Sequence, residues 1–197
     1  MQAGVMAVGL LFNLLLAFVK LYVGISSNSL AVYCDAVNNF GDALLCAAVL
    51  VAVLFMKTRD AQIRRRAESL LTFCIGLVLA VAGVYFLYSG TERILYPLPI
   101  SYLRKYAVLL ACTVPVKALL AVLYRAVGKK QQSKPFKALF VDCLLDCAVT
   151  LFSLAGLLLS AKLPFAADGV FAVVIGAAVA VSAGKTVRRE AKYLIYR

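Results

Sequence analysis

Histidine is missing from all 197 residues. A zinc site of the usual nitrogen-rich kind is therefore excluded. Acidic residues are scarce, nine against 21 Lys and Arg. No Gly/Ser linker or low-complexity tract separates one region from another. No basic n-region precedes the first apolar run and no A-x-A cleavage site follows it, so a signal peptide is not expected. What the chain does have is apolar surface: 64% of residues are hydrophobic and the mean hydropathy is +0.94. That composition lies outside the range of soluble domains and places the chain among integral membrane proteins.

A membrane helix needs roughly 20 apolar residues. Six segments qualify, about residues 4–25, 30–55, 69–88, 104–124, 138–161 and 164–183. The expected fold is all-α, with six transmembrane helices and both termini cytoplasmic. Of the 21 cationic residues, five fall at 57–66, five at 125–137 and five at 185–197. Arg93, Arg104, Lys105 and Lys162 lie on the opposite side, and Lys20 and Lys117 lie within spans. This asymmetry satisfies the positive-inside rule, and it accounts for the net charge of +12 without nucleic acid. No basic stretch interleaves with aromatics as a base-stacking surface requires.

The six cysteines, at 34, 46, 74, 112, 143 and 147, all fall in apolar segments. A secreted disulfide framework does not look like that. They read as small buried apolar side chains.

Against this background the stretch Ser27–Cys46, SNSLAVYCDAVNNFGDALLC, stands out. Asp35, Asn38 and Asp42 are spaced i, i+3, i+7 and so share one helix face. A carboxylate in hydrocarbon costs roughly 2.5–3.5 kcal/mol on insertion scales, which makes two of them a functional hypothesis. A second stretch repeats the spacing: Ser133, Asp142 and Asp146 follow the separations of Ser29, Asn38 and Asp42. Two helices facing one site would bring Asn38, Asp42, Asp142 and Asp146 into a four-oxygen cage. Gly41 beside Asp42 leaves room for close helix approach. Lys20 and Lys117 read first as chains that snorkel to an interface. The other reading makes them counter-charges to the acidic helices.

Three carboxylates and an amide oxygen form a hard donor set, suited to Mn, Mg or Ca. Cys46, Cys143 or Cys147 could add sulfur. Without a cation, buried carboxylates this close hold protons, since burial and mutual repulsion disfavour charge. Metal arrival then expels protons, a thermodynamic basis for exchange.

At these residues the sequence resembles the cation diffusion facilitator family of six-helix divalent-metal/proton antiporters. The family's second helix typically reads S-x-A-x-x-x-D-A-x-H-x-x-x-D. Ser29, Ala31, Asp35, Ala36 and Asp42 fit it, with Asn38 in the histidine place. Its fifth helix is matched by Ser133, Ala138, Asp142 and Asp146, with Leu139 replacing the usual lead Asp. Weaker echoes are Lys20, Arg66-Ala67-Glu68, Glu92 to Pro99, Gly128-Lys129-Lys130 and Asp168. The resemblance implies a metal-transport quartet of Asn38, Asp42, Asp142 and Asp146, with no permanently bound cofactor. It favours Mn²⁺ or Fe²⁺ over Zn²⁺, Co²⁺ and Cd²⁺ as cargo, exported by a homodimer in a bacterial cell membrane. The expected organisation is a six-helix domain over 1–184 and a short basic tail over 185–197, lying on the membrane surface. The family's usual cytoplasmic domain and its His-Pro-Phe/Tyr-Gly loop have no counterpart here.

Two rivals remain at this stage. Two membrane aspartates also serve an intramembrane aspartyl protease, whose G-x-G-D signature Phe40-Gly41-Asp42 matches only in part. A transport-inactive membrane subunit is the other.

Overall fold

The computed structural model describes residues 2–55, 61–131, 134–160 and 167–196. Ser133, which leads the second polar motif, and Lys162 lie outside them. Six helices follow in order: α1 (Gln2–Ser27), α2 (Leu30–Phe55), α3 (Ala61–Leu95), α4 (Arg104–Gln131), α5 (Lys134–Ser160) and α6 (Ala167–Tyr196). Each is long and apolar enough to cross a membrane. Only a helix satisfies its backbone polar groups within one such segment, so apolar runs of this length dictate the element. The protein is a multi-pass, all-helical membrane protein.

Three boundaries differ from expectation. Residues 61–68, read as part of a basic loop, are the first turns of α3. Most of the basic stretch after 124 is also helical, since α4 runs to Gln131 and α5 begins at Lys134. Residues 185–196 continue α6 and are not a separate surface segment. Charged side chains lower hydropathy, yet Lys, Arg, Glu and Ala are good helix formers, and no Gly or Pro follows Gly184 to stop the helix. The two extensions meet where the Arg65 guanidinium lies over the Tyr193 ring, 5.2 Å from its centroid.

The helices form two groups. In the first, α1 packs along α2, α4 along α5, and cross-contacts join α1 to α4 and α2 to α5. In the second, α3 lies along α6, and this pair leans on α2 and α5. Glycine permits the close approach of α3 to α6. A Cβ on Gly83 would sit 2.7 Å from the Ala180 backbone nitrogen. Gly41 does the same for α2 and α3, where a Cβ would meet the Leu79 side chain at 2.6 Å.

One end of the bundle carries the α1–α2, α3–α4 and α5–α6 connections; we call it the hairpin end. There α1 turns into α2 within two residues, with Asn28 in the left-handed region at φ 56°. Asn tolerates that conformation at a helix C-terminus. Ser29 caps α2 as expected, its Oγ accepting from Val32 N at 3.3 Å. The carboxylate of Asp168 on α6 completes the cap, accepting from Leu30 N (2.8 Å) and Ala31 N (3.3 Å) and from the Ser29 hydroxyl. Arg93 at the end of α3 donates to Asp168 at 2.9 Å and to Asn28 Oδ1 at 3.0 Å. The Asn28 amide in turn donates to Pro99 O at 3.0 Å.

Candidate functional site

Successive helices in the bundle run antiparallel, so depth can be counted from the hairpin end. Asn13 on α1, Asp42 on α2, Lys117 on α4 and Asp146 on α5 each lie roughly 12–14 residues in. At 1.5 Å per residue that is about 18–21 Å, one common layer near the middle of a bilayer. The layer is held together by Lys117. Its ammonium is 2.7 Å from Asp146 Oδ2 and 3.0 Å from Asp42 Oδ2. It also donates to Asn13 Oδ1 at 2.7 Å and Asn39 Oδ1 at 3.0 Å. Asn38 donates to the other oxygen of Asp146 at 2.6 Å.

A second cluster lies nearer the hairpin end. Lys20 Nζ is 2.8 Å from Asp35 Oδ1 and 2.6 Å from Thr150 Oγ1. Ser153 donates to Asp35 Oδ2 at 3.0 Å. Asn39 links the two clusters: its amide nitrogen reaches Asp35 Oδ1 at 3.3 Å while its oxygen accepts from Lys117. Every member of this network comes from α1, α2, α4 or α5. Among the described contacts, none links α3 or α6 to it.

Of the four residues singled out from sequence, the structure brings three together: Asn38, Asp42 and Asp146. Asp142 sits one turn from Asp146 toward the other end of the bundle and is exposed. No hydrogen bond or ion pair among the described residues joins it to the other three. Nor do any three Asp, Glu, Cys or His side chains among the described residues group as a metal-ligand set. Asp42 and Asp146 are instead bridged by the Lys117 ammonium.

The lysines correct one expectation. Neither snorkels: Lys20 is 1% and Lys117 2% exposed, and both are paired counter-charges. Of the thiols, one touches the edge of the layer through Asn13. Cys46 Sγ contacts Asn13 Nδ2 and Tyr124 OH, each at 3.8 Å. Cys143 is buried among Met6, Leu120, Ala121 and Tyr124. Cys147 Sγ lies 3.9 Å from Val114 O. Two cysteines expected to be buried, Cys74 and Cys112, are exposed on the outer faces of α3 and α4.

Asn39, Thr150 and Ser153 were not singled out by sequence reasoning. The signal was there in the spacing. Asn39 is one turn beyond Asp35, and Asp146, Thr150 and Ser153 follow i, i+4, i+7. Hydroxyls in such helices commonly bond their own backbone, as Thr150 does to Asp146 O at 2.8 Å, which hides them as candidates.

Such a layer, with two carboxylates and three amides near mid-depth of the bundle, is built to hold positive charge. A family model for the cation efflux transmembrane domain matches residues 6–195. The chain belongs to that family, the cation diffusion facilitators, and is in general terms a divalent-cation efflux transporter. Members of the family are transporters, not enzymes. No curated protein matches the chain significantly.

Proposed function

We propose that this protein exports a divalent metal ion, Mn²⁺ or Fe²⁺ in preference to Zn²⁺, in exchange for protons. Asn38, Asp42 and Asp146 supply the ligands at mid-depth, and Asp142 joins them in another conformer or relays the ion toward the basic end. The observation that carries this reading is the layer itself. Hard oxygen donors from α2 and α5 meet on one level around a positive charge. Hard donors suit Mn²⁺ and other oxygen-preferring ions.

The carboxylates are the natural proton carriers, since each must shed a proton to bind metal. Rocking of α1, α2, α4 and α5 against the α3–α6 scaffold would expose the layer to each side in turn. The assembly is a homodimer, and the basic end faces the cytoplasm.

The test is transport in proteoliposomes, with Mn²⁺, Fe²⁺, Co²⁺, Zn²⁺ and Cd²⁺ compared and proton movement recorded for each. Asp42→Ala, Asp142→Ala and Asp146→Ala should each abolish metal flux while the protein still inserts. Unchanged flux in all three would refute the assignment. A second reading draws on the position of Lys117: a cation locked between the carboxylates would suit a subunit that does not transport. Absence of flux from the wild-type protein for every metal would favour it.

A further inference from the structure

Lys117 has the surroundings of a bound ion. Its Nζ is enclosed by four oxygens, two anionic (Asp42 and Asp146) and two neutral (Asn13 and Asn39), at 2.7–3.0 Å. They come from α1, α2 and α5, while the lysine itself arrives from α4. We propose that Lys117 is a tethered cation that occupies the transport position between loads, so that only an ion of higher charge can take its place. This inference rests on reading Asn38, Asp42 and Asp146 as metal ligands, and it adds the residue that selects among cations.

The argument is one of charge and reach. With the ammonium in place, the two carboxylates and Lys117 sum to −1. A monovalent ion that displaced Lys117 would bring the same charge, lose its own water, and leave an ammonium to be accommodated elsewhere. It gains nothing. A dication neutralises both carboxylates and gathers their oxygens closer, to about 2.0–2.6 Å for hard ions against the ammonium distances here. Coulomb attraction grows with charge and with shorter separation, so the exchange favours the dication.

The four-carbon stem lets the head withdraw without moving α4, as long lysine chains do. Lys20 cannot play this part, because Asp35, Thr150 and Ser153 enclose its pair. The empty transporter also avoids two unpaired carboxylates in hydrocarbon, which would otherwise repel each other.

The experiment is calorimetric titration of the purified full chain with Mn²⁺, comparing wild type, Lys117→Gln and Lys117→Arg. Loss of the competing charge should lower the Mn²⁺ dissociation constant of Lys117→Gln by about tenfold or more. Added NaCl should weaken Mn²⁺ binding to Lys117→Gln much more than to wild type. Lys117→Arg, which keeps the charge, should bind no tighter than wild type. A lysine that merely holds the fold together would give the opposite sign. Equal or weaker binding by Lys117→Gln, with wild type binding, overturns this inference and leaves the transport reading standing. Binding by neither overturns both. Binding by Lys117→Gln alone supports the inference in its strongest form.

Should Lys117→Gln prove unstable, the wild-type protein answers the question. Lysine side-chain nitrogen resonances are recorded on isotope-labelled protein, and the Lys117 signal is identified by its loss in Lys117→Arg. Saturating Cd²⁺ should shift that signal and expose it to solvent exchange. An unmoved, protected signal in the metal-bound protein refutes displacement.

Discussion

Asp35 and Lys20 are each almost wholly buried, and each is the other's charge partner. Removing one partner from a buried pair strands the other, at about 3–5 kcal/mol, whereas replacing both by apolar groups is close to neutral. Lys20→Met and Asp35→Leu should therefore each lower stability by about that amount, and the double variant should regain most of it. Equilibrium unfolding in detergent reads the difference. The carboxylates proposed as metal ligands behave differently. Asp42→Asn and Asp146→Asn keep shape and hydrogen bonding, so the protein should insert normally and lose metal binding. The motif spacing made these carboxylates legible before any coordinates. It could not show what stands between them. Lys117 is on α4, 75 residues from Asp42 in sequence, and no local pattern links them.

Among the elements, α3 and α6 carry no described member of the mid-depth network, and their largest contact is with each other. The glycines make this testable. A methyl group on Gly83 would collide with the Ala180 backbone, which has no flexible end to move aside. Gly83→Ala should cost about 1–3 kcal/mol and lower the melting temperature in detergent. Gly184 has nothing within 4 Å of a would-be Cβ, so Gly184→Ala should be neutral or stabilising by up to about 1 kcal/mol through helix propensity. The N-terminus of α2 offers a second test. Asp168→Ala removes the acceptor for Leu30 N, Ala31 N, Ser29 and Arg93 together. It should destabilise more than Ser29→Ala, which loses one cap and leaves the carboxylate, and thermal unfolding separates the two. Helix existence was plain from hydropathy. Helix length was not, because α3 and α6 extend beyond their apolar runs on charged residues that a hydropathy window reads as loop.

For the whole molecule, the basic stretches at 61–66, 125–131 and 185–196 gather at the end of the bundle opposite the hairpin connections. An anionic leaflet attracts such an end, at about 1 kcal/mol per cation near its surface, and under the proposed topology that leaflet is the cytoplasmic one. Reporter fusions to the C-terminus should therefore report a cytoplasmic location. A periplasmic or lumenal signal would invert the topology and with it the direction of export. The carboxylates sit in the four-helix group, and the α3–α6 pair packs against it through α2 and α5.

The sequence by itself determined that this chain lives in a bilayer and how many times it crosses, and it singled out the acidic faces of α2 and α5. Those properties depend on transfer free energy and helical periodicity, both of which act over a single segment. Only the tertiary structure decided that Lys20 and Lys117 turn inward, that Asn39 joins two charge clusters, and that Asp142 stands apart from Asp146. Those outcomes depend on which side chains from distant segments reach the same depth. Buried charges are settled by whichever partner is near enough to offset their lost hydration, and that is a property of the assembled bundle.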